Sequence, residues 1–128
     1  MVLDSSAIVA IQMREAGFEA LLERIEKAPL VAVCSATLLE VIIVLSGRTN
    51  CDARPTVATF VRGIRAEIVP FREEHMEVAA AAFLRYGKGR HPAALNYGDC
   101  MTYAVASVAR MPLLFIGDDF TKTDIVRA

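Results

Sequence analysis

Met1-Val-Leu-Asp4-Ser-Ser-Ala7, running on into Ile8-Val-Ala-Ile11, decides the fold of this chain. Two apolar residues lead into an aspartate, two small hydroxyl residues follow, and an apolar helical pattern begins. The pattern predicts a short buried strand, a tight turn, and a helix capped at its start by Ser5 or Ser6. A strand of about three residues gains little alone and has to be inserted between others, which makes it central. Asp4 then sits at the carboxyl end of a central strand, where open α/β sheets bind their ligands. Two readings of Asp4, helix cap and ligand-binding group, stand side by side at this point.

The rest of the chain repeats the same unit. Phe18 to Lys27 is amphipathic, with Phe18, Leu21, Leu22 and Ile25 on one face. Leu30–Val33 reads as a strand covered on both faces. A nearly all-apolar helix from Ala36 to about Ser46 follows, with Gly47 as its stop. Pro55 suits the first turn of a helix reaching about Arg65, and Glu67–Pro70 is a third strand. Arg72–Tyr86 is a surface helix, and Asn96-Tyr-Gly-Asp99 opens another that runs through Arg110. Leu113–Ile116 is a fourth strand, and Ile125-Val126 a short fifth. Strands alternating with helices give an α/β three-layer sandwich around a mostly parallel sheet of four to five strands. No linker, repeat or low-complexity tract divides residues 1–128, so a single domain is expected.

Composition narrows the function classes. The chain is 55% hydrophobic with a mean hydropathy of +0.41, high for a small domain, which predicts a buried interface in addition to a core. The longest stretch without Asp, Glu, Lys or Arg, Ala28–Leu39, contains Pro29 and is too short for a membrane span of about 20 residues. No secretory signal pattern opens the sequence. The net charge of −1 argues neither for nor against nucleic acid. Cys34, Cys51 and Cys100 are scattered and odd in number, against both a disulfide framework and a zinc site, and a reducing cytoplasm is the expected compartment.

Chemistry concentrates in the acids. Asp4 and the pair Asp118-Asp119 each follow a strand directly. Glu40 lies about one turn into a helix leaving another strand, and Asp99 in the first turn of a further helix. In a parallel sheet those positions share one edge, so the carboxylates converge. Each also has a plain structural duty: Thr37-x-x-Glu40 fits a capping box, Asn96-x-x-Asp99 a close relative of one, and Asp118-Asp119 a turn. One acid at every such element end exceeds what capping requires, and a carboxylate inside so apolar a helix as that of Glu40 is costly unless paired. Two carboxylates about 5 Å apart repel by roughly 3 kcal/mol at an effective dielectric of about 20. A cluster of three or four therefore needs a cation or raised pKa values, and all-oxygen ligation with few histidines selects Mg²⁺ or Mn²⁺ over zinc or copper. Such ions activate water against phosphorus, so phosphodiester hydrolysis is the implied chemistry.

Other groups have paired readings. Ser5 and Ser6 orient Asp4 or a water, or else simply cap a helix. Lys88, Arg90 and His91, in the glycine-bearing loop 87–92, contact a phosphate backbone or form a solvated turn. His75 and His91 are too scattered for a general-base pair. A non-catalytic module that docks RNA or a protein in the acidic groove is the competing hypothesis. An aspartyl-phosphate phosphatase is a third, and it lacks a second aspartate two residues after Asp4, where Ser6 stands.

MVLDSSA, the Glu40 of LLEV, LNYGDCMTYAVA and LLFIGDDFTKTDI together resemble the PIN-domain ribonucleases, and most closely the VapC toxins of bacterial toxin–antitoxin pairs. The resemblance covers essentially the whole chain in order. It implies a Mg²⁺- or Mn²⁺-dependent endoribonuclease, usually a homodimer, whose antitoxin partner occupies the acidic groove. Asp4, Glu40 and Asp99 match the three invariant family acids, with Asp4 and Asp99 as principal metal ligands. The fourth acid falls on Asp118 or Asp119, and Asn96 matches the polar residue before the third.

Overall fold

The computed structural model describes residues 1–128. Four strands, β1 (Val2–Leu3), β2 (Ala32–Cys34), β3 (Glu67–Val69) and β4 (Leu113–Leu114), form one sheet in the order β3-β2-β1-β4. Every pairing is parallel, with Val2 opposite both Ala32 and Leu113. The opening strand is therefore internal, as its length and apolarity demand.

Six helices flank the sheet: α1 (Ser5–Met13), α2 (Phe18–Lys27), α3 (Ser35–Thr49), α4 (Arg54–Gly63), α5 (Glu73–Tyr86) and α6 (Tyr97–Ala109). Successive strand residues alternate between faces. Leu3, Val33 and Leu114 enter a core with Ile8 of α1, Ile25 of α2, Val41 of α3 and Val57 of α4. Val2, Ala32, Cys34, Leu113 and Phe115 enter the second core, with Ala82 of α5 and Val105 of α6. Two cores on opposite faces of one sheet make the three-layer sandwich. β3 is the exposed edge, with Ile68 half in solvent.

Several expectations need correction. The cap of α1 is Asp4 rather than Ser5 or Ser6: its carboxylate accepts the Ser6 N–H at 2.9 Å. Gly47 does not stop α3, which continues to Thr49 and ends at Asn50 in the left-handed conformation (φ 54°). Packing of Val41 and Leu45 against the core outweighs the cost of about 1 kcal/mol for a helical glycine. The fifth strand is reduced to one parallel bridge between Leu113 and Arg127. β4 ends at Leu114 rather than Ile116, because the Ile116 N–H is taken by the Ser6 hydroxyl instead of a neighbouring strand. No helix is long and apolar enough to cross a membrane.

Candidate active site

Parallel strands deliver their carboxyl ends to one edge, and the acids gather there. Asp4, 4% exposed, leaves β1, and its Oδ2 accepts both the backbone N–H and the hydroxyl of Ser6. That hydroxyl in turn accepts the Ile116 N–H at 3.0 Å, tying the first acid to the segment that leaves β4. Ser6 is thus a support for Asp4 rather than a helix cap.

Glu40 is the sixth residue of α3, whose N-cap is Cys34 with no side-chain cap bond. The capping-box duty for Thr37 and Glu40 is therefore excluded. Oε2 of Glu40 is buried and has no hydrogen-bond partner. Its carboxylate rests against the first turn of α6: a Cβ built on Gly98 would lie 2.8 Å from Oε2 and 2.9 Å from Oε1. Only glycine leaves room there, beside Asp99. Burial, and then the charge of Asp4, push the Glu40 carboxyl above its usual range, partly offset by the Ser5 hydroxyl.

Asp99 combines both duties foreseen for it. Its Oδ2 accepts the Asn96 N–H at 2.8 Å while the Asn96 side chain accepts the Asp99 N–H at 3.0 Å, a reciprocal capping box. Even so, its carboxyl is raised to about 6, first by burial, and then, against the Asn96 bond, by the charges of Asp4, Asp119 and Glu40. Four carboxylates from β1, α3, α6 and the turn after β4 thus act on one another. Within the acidic pair, it is the charge of Asp119 that reaches Asp99; the Asp118 carbonyl closes the turn by accepting the Thr121 N–H and hydroxyl.

None of the remaining candidates forms a hydrogen bond or ion pair with these acids. Lys88 and Arg90 are exposed in the loop preceding α6 and form no ion pair, while Arg90 lies over the Phe83 ring. Nδ1 of His75 accepts the Arg72 N–H and Nδ1 of His91 the Ala93 N–H, so both shape local backbone. Two features escaped the sequence reading. Gly98 provides the clearance for Glu40, and a glycine inside the first turn of a helix was the signal. The Tyr103 hydroxyl donates to Asp124 at 2.6 Å, and Arg85 pairs with the same carboxylate at 3.0 Å, pinning the far end of the acidic turn to α5 and α6.

A divalent cation fits this donor set in a specific way. No three His, Cys, Asp or Glu side chains close around a single point, so an ion here would be held by fewer side chains than that together with its own waters. The orphaned oxygen of Glu40, and the single oxygen by which Asp4 and Asp99 are each held, leave carboxylate oxygens for an ion that keeps most of its waters. Mg²⁺ behaves in that way.

Fold and acid cluster define a PIN domain. The family profile described as PIN domain matches residues 1–126, and the chain belongs to that family. Within it, the chain belongs with the VapC ribonucleases. Ribonuclease VapC36 of Mycobacterium tuberculosis is 42% identical over 126 residues, covering 98% of this chain and 91% of the relative. Ribonuclease VapC of Mycolicibacterium smegmatis is 38% identical over 125 residues, covering 98% and 97%. Among solved structures, Mycobacterium tuberculosis VapC20, described as a sarcin-ricin loop cleaving toxin, superposes with a TM-score of 0.79 at 16% identity, covering 99% of this chain and 97% of that one. A toxin–antitoxin complex from Klebsiella pneumoniae gives 0.72 at 19% identity, covering 99% and 95%.

Proposed function

We propose that this chain is the toxin of a toxin–antitoxin pair, an endoribonuclease that hydrolyses RNA phosphodiesters in a Mg²⁺- or Mn²⁺-dependent reaction. The observation that carries the metal dependence is the unpartnered buried oxygen of Glu40 beside an Asp99 raised to about 6. Crowded, partly buried carboxylates are relieved by a proton or by a cation, and a divalent ion relieves several of them at once. A bound divalent ion supplies an activated water and neutralises charge for an in-line displacement at phosphorus.

The chain's own residues do the positioning. Asp4 and Asp99 would hold the ion, and Glu40, its carboxylate set against the first turn of α6, would orient the attacking water and take its proton. Asp119 completes the negative field, with Asp118 confined to the turn. Ser6 and Asn96 fix the carboxylates of Asp4 and Asp99, and Ser5 steadies Glu40. Lys88 and Arg90 contribute to RNA backbone binding. The chain acts in the cytoplasm as a homodimer and is held inactive by a cognate antitoxin. Exposed Leu39 and Ile43 on α3, Leu84 on α5 and Tyr97 on α6 supply apolar surface of the kind such partners cover.

Cleavage of a structured RNA by purified protein with Mn²⁺ tests the proposal. Asp4→Asn and EDTA should each abolish product. Equal cleavage by the Asp4→Asn protein, or activity persisting in EDTA, refutes it. A docking module, by contrast, would bind RNA and inhibit growth unchanged by Asp99→Asn.

A further inference from the structure

Deep between α3 and α6, two threonines face each other. Thr37 is 1% exposed and Thr102 fully buried, and their hydroxyl oxygens lie 3.0 Å apart. Buried apolar residues flank them in sequence: Leu38 and Val41 on α3, Ala104 and Val105 on α6. Stability does not require polar groups here. Replacing both partners of a buried hydrogen bond with apolar groups of the same shape is nearly neutral, or even stabilising. What a hydroxyl pair adds is direction, since the bond exists in one relative setting of the two helices, whereas methyl contacts tolerate sliding.

The place of the pair gives that setting its meaning. Thr37 precedes Glu40 by three residues, and Thr102 follows Asp99 by three. Each threonine is therefore one helical turn from an acid of the groove. At the other end of the same crossing, Gly98 lets the Glu40 carboxylate touch α6. We infer that Thr37 and Thr102 are positioning residues, whose buried hydrogen bond sets the spacing between the Glu40 turn of α3 and the Asp99 turn of α6 and so the geometry in which the groove takes its divalent ion. The inference rests on the reading of the groove as a metal-dependent ribonuclease site.

The experiment sets stability against function. A Thr37→Val/Thr102→Val double variant removes both hydroxyls and keeps the volume; a Thr37→Ser/Thr102→Ser double variant keeps the hydroxyls and loses two methyls. Melting temperature, Mn²⁺ affinity of the RNA-free protein by calorimetry, and kcat and KM on RNA are measured for each, with Asp99→Asn alongside. The valine pair should melt no lower than wild type, yet bind Mn²⁺ about tenfold more weakly and lose about tenfold in kcat at unchanged KM, the range for lost support of metal ligands. The serine pair should melt lower and keep both the Mn²⁺ affinity and kcat. Wild-type Mn²⁺ affinity and kcat in the valine pair, while Asp99→Asn is inactive, would overturn the inference and leave the ribonuclease reading intact. So would Mn²⁺ affinity or kcat that simply follow melting temperature across the variants. Undiminished cleavage by Asp99→Asn would overturn both.

Discussion

Replacing Asp99 with asparagine removes one charge from the groove and keeps an oxygen to accept the Asn96 N–H, so the capping box survives. In the folded chain the Asp99 carboxyl is raised from its usual 3.8 to about 6, with burial the main cause. At 1.36 kcal/mol per tenfold change this corresponds to about 3 kcal/mol of destabilisation when the group is ionised. Asp99 is only half-buried, and solvent screening reduces the figure to about 1.5 kcal/mol. The sign follows from linkage: the folded state holds this proton more tightly than the unfolded chain. Wild-type stability is therefore greatest below pH 4 on account of this group, and it is lost as the pH rises from about 4 to about 6. Asp99→Asn escapes that loss. In EDTA at pH 7.5 it should melt about 5 °C above wild type, and the two curves should converge near pH 4. With Mn²⁺ present the order should reverse, because only the wild type gains the ion's binding energy. Thermal melts read by circular dichroism between pH 4 and 8 decide the matter. A variant less stable than wild type in EDTA at pH 7.5, or a difference that ignores pH, refutes the account of a charge-strained groove.

Three further outcomes follow from the same geometry. Gly98→Ala drives a methyl into the Glu40 carboxylate, 2.8 Å away. RNA cleavage should fall at least tenfold while helix propensity, favouring alanine by up to about 1 kcal/mol, keeps the fold intact; full activity would show that Glu40 can retreat without consequence. Tyr103→Phe frees Asp124 from its 2.6 Å bond and should cost about 1–2 kcal/mol in urea unfolding, with faster amide exchange across residues 117–124; an unchanged exchange pattern would remove the turn-anchoring role. Mn²⁺ at about a hundred times its Kd should stabilise the wild type by about 2.7 kcal/mol, and Asp4→Asn should lose most of that gain in differential scanning fluorimetry.

How much of this was legible beforehand depends on the physics behind each element. Residues 1–11 disclosed an internal strand because three residues of backbone cannot stand alone. The helix over Phe18–Lys27 was readable to its ends because its polar and apolar faces separate cleanly. Asp4, Glu40 and Asp99 were legible as a set because parallel strands and the helices after them share an edge. Nothing local, however, reports where a neighbouring chain segment takes a hydrogen bond. The helix through Gly47 is held by distant packing, and β4 stops short because Ser6 claims Ile116. Local sequence gave Thr37 a capping role, yet its hydroxyl meets Thr102 from 65 residues away. That the charge of Asp119 acts on Asp99 follows from the turn's three-dimensional course, which local sequence does not report.

The pairing of β1 with β4 brings Val2 beside Leu113, and the acids of the groove come from positions as far apart as Asp4 and Asp119. The carboxylates therefore cannot meet until nearly all of the chain between them has been synthesised and β4 has docked beside the first strand. A nascent chain holding Asp4, Glu40 and even Asp99 still lacks the segment that completes the sheet edge. For an enzyme directed at RNA, this order of assembly delays a complete acid cluster until the segment through Asp119 has been made and has docked beside the first strand.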